Sequence, residues 1–320
     1  MDRPGAVARL QACVREFAAT YLPATERWCV ALSGGPDSLA LTAAAATVLP
    51  TTALIVDHRL QPDSATVAQN AARHARDLGC VDVQIISVSV GTEGGPEAAA
   101  RTARYAALEQ ARAGAPVLIG HTLDDQAETV LLGLGRGSGP RSIAGTRPYD
   151  PPWCRPLLDV RRSVTVQACA QLGLTPWSDP HNADRRFTRT RLRHEVLPLL
   201  EDVLGGGVAE ALARTATALQ QDGEVLDELA ERALADGRCG DGLPVSALTP
   251  LPDAVRRRVI RGWLLGGGAV RLTAKQIVGV DALVTAWRGQ GGVAVGSRLV
   301  GQRLFAGRRD GVLVLSREPI

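Results

Sequence analysis

The stretch VALSGGPDSL, Val30 to Leu39, constrains this chain more than any other. Trp28 to Leu32 is apolar and reads as a buried strand, and Asp37 to Val48 (DSLALTAAAATV) reads as a helix rich in Ala and Leu. Pro36 stands where a first-turn proline is tolerated. Gly34 and Gly35 let the backbone take positive φ and come close to a ligand, so that successive N–H groups and the positive end of the helix dipole converge on one spot. An anion fits there, and Ser33, Gly34, Gly35, Pro36, Asp37 and Ser38 are the expected cradle. It is not a Walker A loop, because no Lys follows the glycines and the spacing is shorter than GxxxxGK[ST].

Around this loop the first half alternates strand and helix, which predicts an α/β fold with a doubly wound, mostly parallel sheet. Strands are expected at Thr52 to Asp57, Val83 to Val90 and Pro116 to Gly120, with helices at Ser64 to Leu78 and Pro96 to Ala113. In such sheets the ligand crevice lies at the carboxyl ends of the strands. Asp57-His58-Arg59 and the run from His121 to Asp125 fall there beside the loop. The expected division is an ATP-binding domain over residues 1–205, a helical connector over 206–242 and a small α+β domain over 243–320. The connector is a long helix, Val208 to Ala235, with a Gly-rich break from Asp236 to Gly242. Two helices, Leu251 to Leu265 and Thr273 to Trp287, and strands at Gly292 to Val295, Leu299 to Leu304 and Gly311 to Leu315 are expected beyond it.

Charge comes in blocks. Residues 141–195 carry 10 Arg against 5 acids, residues 196–253 carry 3 against 11, and residues 254–320 carry 12 Arg or Lys against 3. Two basic blocks around an acidic one suit contact with a polyanion such as RNA or DNA. No apolar run reaches the length of a membrane span, and MDRPGAVARL has no hydrophobic signal core, so a soluble cytoplasmic protein is expected. The six cysteines form neither a CxxC pair nor a zinc-spaced Cys–His cluster, and read as reduced, mostly buried thiols.

Four constellations carry candidate chemistry. Asp57 and His58 lie at the lip of the second strand, where an adenine edge would be held. Arg101 and Arg104 share a helix face, as do Glu97 and Arg101, and a guanidinium fork suits phosphoryl oxygens. In HTLDDQAET, Asp125 and Glu128 project from one face of a helix start, where they could complement the dipole, hold an amine, ligate Mg²⁺ or accept a proton. Five arginines, Arg185, Arg186, Arg189, Arg191 and Arg193, then precede an apolar helix at Val196 to Leu204; with Trp177 and Phe187 they suit phosphate contact and base stacking.

SGGPDS, VDHRL, EAAARTARY, HTLDDQAET, LGRGSG, RPLL and the W-S-DP-H-N…RTRLRHEVLPLL segment stand in order over residues 28 to 200. The chain thereby resembles the tRNA(Ile)-lysidine synthetases, a family of the PP-loop ATP pyrophosphatase superfamily. Thr122 stands where members often have a second His, and Thr190 where Asn is frequent. The resemblance implies ATP-dependent ligation of lysine to C2 of the wobble cytidine of the CAU-anticodon isoleucine tRNA, through an adenylated cytidine, with AMP and pyrophosphate released. It also implies roles by position. Asp37, Arg101, Arg104, Asp125, Glu128 and Arg191 would be catalytic, with Asp125 and Glu128 holding lysine and Asp37 holding Mg²⁺. Asp57, His58 and His121 would join the SGGPDS residues around ATP, and Arg189, Arg191, Arg193, Arg256 and Arg257 would meet RNA. A homodimer is a further expectation, as is the lack of the additional C-terminal domain found in longer members. The rivals are a thiolating or amidating PP-loop enzyme, which would need a cysteine pair or a glutaminase segment, and a non-catalytic nucleotide-binding module, which would not need the paired acids.

Overall fold

The computed structural model describes residues 5–59, 63–91, 95–137, 139–179, 184–237, 240, 242–299 and 301–319. Leu60, Ser138, Pro180, His181 and Asn182 of the motifs above, and the side chain of Glu97, lie outside that set. The chain divides into two compact units, residues 1–132 with 145–214 and residues 133–144 with 215–320. Among the described residues no helix is long and apolar enough to cross a membrane.

The first unit runs α1 (Ala6–Tyr21), β1 (Trp28–Ala31), α2 (Pro36–Ala46), β2 (Thr51–Asp57), α3 (Ser64–Asp77), β3 (Asp82–Ser87), α4 (Pro96–Ala111), β4 (Val117–Ile119) and α5 (Leu123–Arg136). After the short α6 (Pro140–Ile143), which belongs to the second unit, come β5 (Tyr149–Asp150), β6 (Trp153–Cys154), α7 (Arg162–Gln171) and α8 (Thr188–Arg191). A π-helical turn, Leu192–Val196, leads into α9 (Leu197–Val203) and α10 (Val208–Gly237). The sheet order is β3-β2-β1-β4-β6-β5, parallel except for the β5–β6 pair. The strand order reverses between β1 and β4, so the crevice opens at the end of β1, where SGGPDS begins.

Local sequence explains this order. The central strands are covered on both faces and therefore read as unbroken apolar runs: all of β4 and the first three residues of β1 are buried. The buried indole of Trp28 donates to Thr51 Oγ1 at 2.7 Å, tying β1 to β2. In α3 the buried residues are Ala68, Ala71, Ala72 and Ala75, a small-residue stripe at helical spacing that lets the helix approach the sheet closely. Every residue of α2 from Ser38 to Ala45 is buried, which is why that helix shows no amphipathic period.

The second unit continues with β7 (Leu243–Pro244), α11 (Val245–Leu248), α12 (Asp253–Gly266), β8 (Ala269–Val270), α13 (Ala274–Thr285), β9 (Val293–Ser297), β10 (Gln302–Arg309) and β11 (Val312–Pro319). Its sheet order is β7-β11-β10-β9-β8, antiparallel throughout. The strand expected at Leu299 to Leu304 starts later and runs longer, because Gly301, at φ 79°, turns the chain just before it. Asp310 and Gly311 both take positive φ between Arg309 and Val312, the two-residue Asp-Gly turn that fits the twist of a hairpin. The expected connector is not a separate body: α10 has its residues up to Arg214 in the first unit and those from Thr215 in the second.

The arginine cluster of α12 differs from the expectation. Arg256, predicted at an RNA surface, is 6% exposed. It donates to Asp281 Oδ1 at 2.6 Å, Asp253 Oδ1 at 2.8 Å and the Leu251 carbonyl at 2.8 Å. Its helical position explains this, since it shares the α12 face that buries Val259, Ile260 and Trp263. Arg257 donates to Asp281 at 2.9 Å while staying half-exposed, and Arg258 donates to Asp227 at 2.9 Å. Asp281→Asn strips the charge that holds Arg256 in the core. It is expected to lower unfolding stability by about 3 kcal/mol in urea denaturation. A change below about 1 kcal/mol would show that Arg256 finds other compensation.

Candidate active site

Backbone geometry builds the anion cradle. Gly34 sits at φ 86° and accepts at its carbonyl from Trp177 N–H at 2.9 Å, which ties the loop to the segment after α7. Ser38 Oγ accepts from Ser33 N–H at 3.2 Å and donates to the Gly35 carbonyl at 3.0 Å, closing the loop on itself. Gly35 caps α2, so the first-turn N–H groups of that helix face the crevice. Gly120, at the end of β4, was not singled out as a site residue in the sequence. A Cβ there would stand 3.0 Å from the backbone of Asp37 and Ser38, so a larger residue would push the loop off β4 by a few tenths of an ångström.

Beside that loop lies a partly buried ionic cluster around the buried Glu128. Arg162, at the start of α7, donates to Asp37 Oδ2 at 2.9 Å and to Asp125 Oδ1 at 2.6 Å, and its Nη1 stands 3.8 Å from Glu128. Arg193 grips Glu128 with two donors, at 2.7 and 3.1 Å, and reaches Asp125 at 3.4 Å. Thr165 Oγ1 donates to Asp37 Oδ1, and Thr122 donates to Asp125 Oδ2 through both its N–H and its hydroxyl. Arg162 and Thr165 were not foreseen. RPLLDVRRSV reads as a polar helix start, and nothing in its spacing says that one of its two arginines turns inward.

Proton affinities follow from these contacts. Burial raises the carboxyl of Asp37 above the ordinary carboxylate value, against the pull of Arg162 and Thr165. Burial also raises Glu128, and Arg193 only partly offsets it. For Asp125 burial acts upward too, but Arg162, His121 and the Thr122 N–H outweigh it and hold the group low. Burial, with Arg155 and Arg104 nearby, lowers His121 to about 4, so its imidazole is neutral at pH 7. His58 is lowered by burial and by Arg104, and its Nδ1 is buried without a partner.

The remaining predicted residues are less concentrated. Asp57 is buried and accepts from Arg59 N–H at 2.9 Å. A cleft of about 520 Å³ opens beside it, lined by Arg59, Ser64, Gln69, Ile85 and Ser87 but by none of the ionic cluster. Arg101 and Arg104 lie over the Tyr105 ring, at 4.8 and 5.6 Å, and no carboxylate among the described residues pairs with either. Arg189 donates to Thr129 Oγ1 at 3.3 Å. Arg191 is 61% exposed and pairs with Glu195, outside the cluster that Arg193 joins. The reason is helical spacing: positions 189 and 193 share a face and position 191 does not. Among the described residues no set of three His, Cys, Asp or Glu side chains is arranged to hold a metal.

The His121 imidazole makes a pH prediction. Its folded value of about 4 lies below the ordinary 6.5, so between those limits the unfolded chain binds more protons and stability falls as pH falls. The loss is on the order of 3 kcal/mol at most, complete below about pH 4 and absent above about pH 6.5. His121→Gln should flatten the acid limb of the stability profile relative to the parent protein; parallel profiles would show that His121 does not titrate in this way.

The PP-loop domain family matches residues 7–200, and the family described as the TilS substrate binding domain matches residues 243–309. The tRNA(Ile)-lysidine synthase of Mycobacterium bovis is 72% identical over 324 residues, covering 100% of both chains. That of Mycobacterium leprae is 67% identical at the same coverage, and that of Nocardia farcinica is 61% identical over 97% of this chain and 98% of its own. Among solved structures, the U34-tRNA thiolase NcsA from Methanococcus maripaludis shares the fold, with a TM-score of 0.55 at 18% identity, covering 68% of this chain and 80% of that one.

Proposed function

The chain belongs to the tRNA(Ile)-lysidine synthase family, and from that premise we propose that it ligates the ε-amine of free lysine to C2 of the wobble cytidine of the CAU-anticodon isoleucine tRNA. In this reading O2 of the cytidine attacks the α-phosphorus of ATP and pyrophosphate leaves; the amine then adds at C2 and AMP leaves. A cytoplasmic location and a homodimer belong to the same proposal, and sedimentation at the monomer mass would remove the homodimer.

The observation that carries the reading is the charge of the cluster. Asp37, Asp125 and Glu128 face two guanidiniums, Arg162 and Arg193, which leaves one negative charge beside the anion cradle. A lysine ammonium answers that charge, with Mg²⁺ at Asp37 balanced by the phosphates of ATP rather than by the cluster. Asp125, held ionised, suits binding of the cation, whereas Glu128, whose proton affinity burial raises, suits taking the proton that must leave before a neutral amine can attack. Loop N–H groups and the α2 terminus would bear the charge of the departing pyrophosphate. Asp37 would hold Mg²⁺ together with phosphate oxygens through the lone pairs left beside its contacts to Arg162 and Thr165, since one carboxylate plus phosphates is a common donor set for that ion. When bound, the metal supplies neutralisation of charge on the leaving group.

Sulfur transfer fits less well. Burial pushes Cys80 and Cys169 up to about 11 and Cys154 up to about 12, so these thiols stay protonated and poorly nucleophilic.

Incubation with ATP, Mg²⁺, labelled lysine and unmodified tRNA(Ile) should release pyrophosphate and place label in the RNA. Label that stays out of RNA while ATP binds would end the lysidine reading. Asp125→Asn should raise the KM for lysine at least tenfold, and Glu128→Gln should lower kcat by about 100-fold or more. Neither should change the Kd for tRNA by more than about threefold, and a parallel loss of tRNA affinity would count against both roles.

A further inference from the structure

In the second unit the charges that sequence marks out are mostly spent inside the protein. Arg256, Arg257 and Arg258 face Asp281, Asp253 and Asp227, and Arg308 donates to the Leu283 carbonyl while lying 5.4 Å from the Trp287 ring centre. The excess of cations over residues 254–320 must therefore be expressed elsewhere.

Strand alternation shows one such place. On β10 the buried Leu304 and Ala306 face the helices, which puts Arg303, Phe305, Gly307 and Arg309 on the outer face of the sheet. Arg303 and Arg309 are exposed, and neither forms an ion pair among the described residues. Phe305, half-buried, has only small residues opposite it, Ala294 on β9 and Ser316 on β11. A Cβ at Gly307 would meet nothing within 4 Å, so the surface beyond the ring is open. An aromatic on a central strand, cleared on both flanks and bracketed by two unpaired guanidiniums about 20 Å apart, combines a stacking platform with phosphate contacts.

We infer that this outer sheet face docks RNA, with an unpaired base stacked on Phe305 and backbone phosphates held by Arg303 and Arg309. Charge decides the class of partner: Arg309 has Val312 opposite it, Arg303 stands opposite Glu318 in the register without forming an ion pair with it, and the planar ring favours a nucleic acid over an acidic peptide. The inference rests on reading the chain as a tRNA-modifying enzyme and assigns the binding role of its C-terminal domain to one face.

Binding of the full chain to unmodified tRNA(Ile), measured across a salt series, tests it. The double variant Arg303→Gln/Arg309→Gln alters only exposed side chains and should reduce the slope of log K against log salt by about 1.4 to 1.8. Phe305→Ala should weaken binding by about 5- to 150-fold with the slope unchanged, and Phe305→Trp should restore it. Should Phe305→Ala fail to fold, the arginine pair and the Trp variant still decide. An unchanged slope in the double variant overturns the inference. Lysine labelling of tRNA by the unaltered protein is run alongside: label with an unchanged slope removes this surface and leaves the activity standing, whereas no label with a reduced slope removes the activity and leaves the surface. Failure of the unaltered protein to bind tRNA overturns both.

Discussion

Three acids can share one crevice in this fold only because two half-buried guanidiniums lie among them. Asp37 comes from the loop after β1, Asp125 and Glu128 from α5, Arg162 from α7 and Arg193 from the π-helical turn, so the cluster joins elements far apart in sequence. Removing Arg193 would leave the buried Glu128 without its main partner, a penalty larger than most packing defects. The cluster is thus both the centre of the proposed chemistry and a lock on the arrangement of the helices around it. It also sets acids of the same type apart in proton affinity, since contacts on Asp125 hold its value down while burial lifts that of Glu128.

Much of this was legible in the sequence. The strand, glycine turn and Ala-rich helix around Ser33 to Ser38 state their geometry locally, and Asp125 and Glu128 declare a shared face by their spacing. What could not be read belongs to tertiary contact. Arg162 resembles its neighbour Arg161 in sequence, yet Arg162 enters the cluster while Arg161 pairs with Asp124, Glu201 and Glu210. Arg191 and Arg193 look interchangeable until helical phase separates them. The α12 arginines show the same limit from the other side: a run of three cations reads as a surface, and only the fold reveals that Asp281 lies behind it.

The comparisons and the geometry contribute different things. Relatives covering the full chain establish the family, and the thiolase likeness shows the fold alone, over 68% of this chain. Neither says how this chain arranges its charges. The balance of acids and arginines, the protonated thiols and the unpaired cations of the outer sheet face come from the structure, and they are what make the proposed chemistry open to refutation residue by residue.

Gly120 carries one more consequence. Because β4 lies against the backbone of Asp37 and Ser38 with little room for a methyl group, the phosphate loop is supported from behind before any ligand arrives. A loop already held in shape loses little conformational entropy when it closes on an anion, so more of the contact energy remains as affinity. The smallest side chain in the crevice thereby sets how rigid the nucleotide seat is.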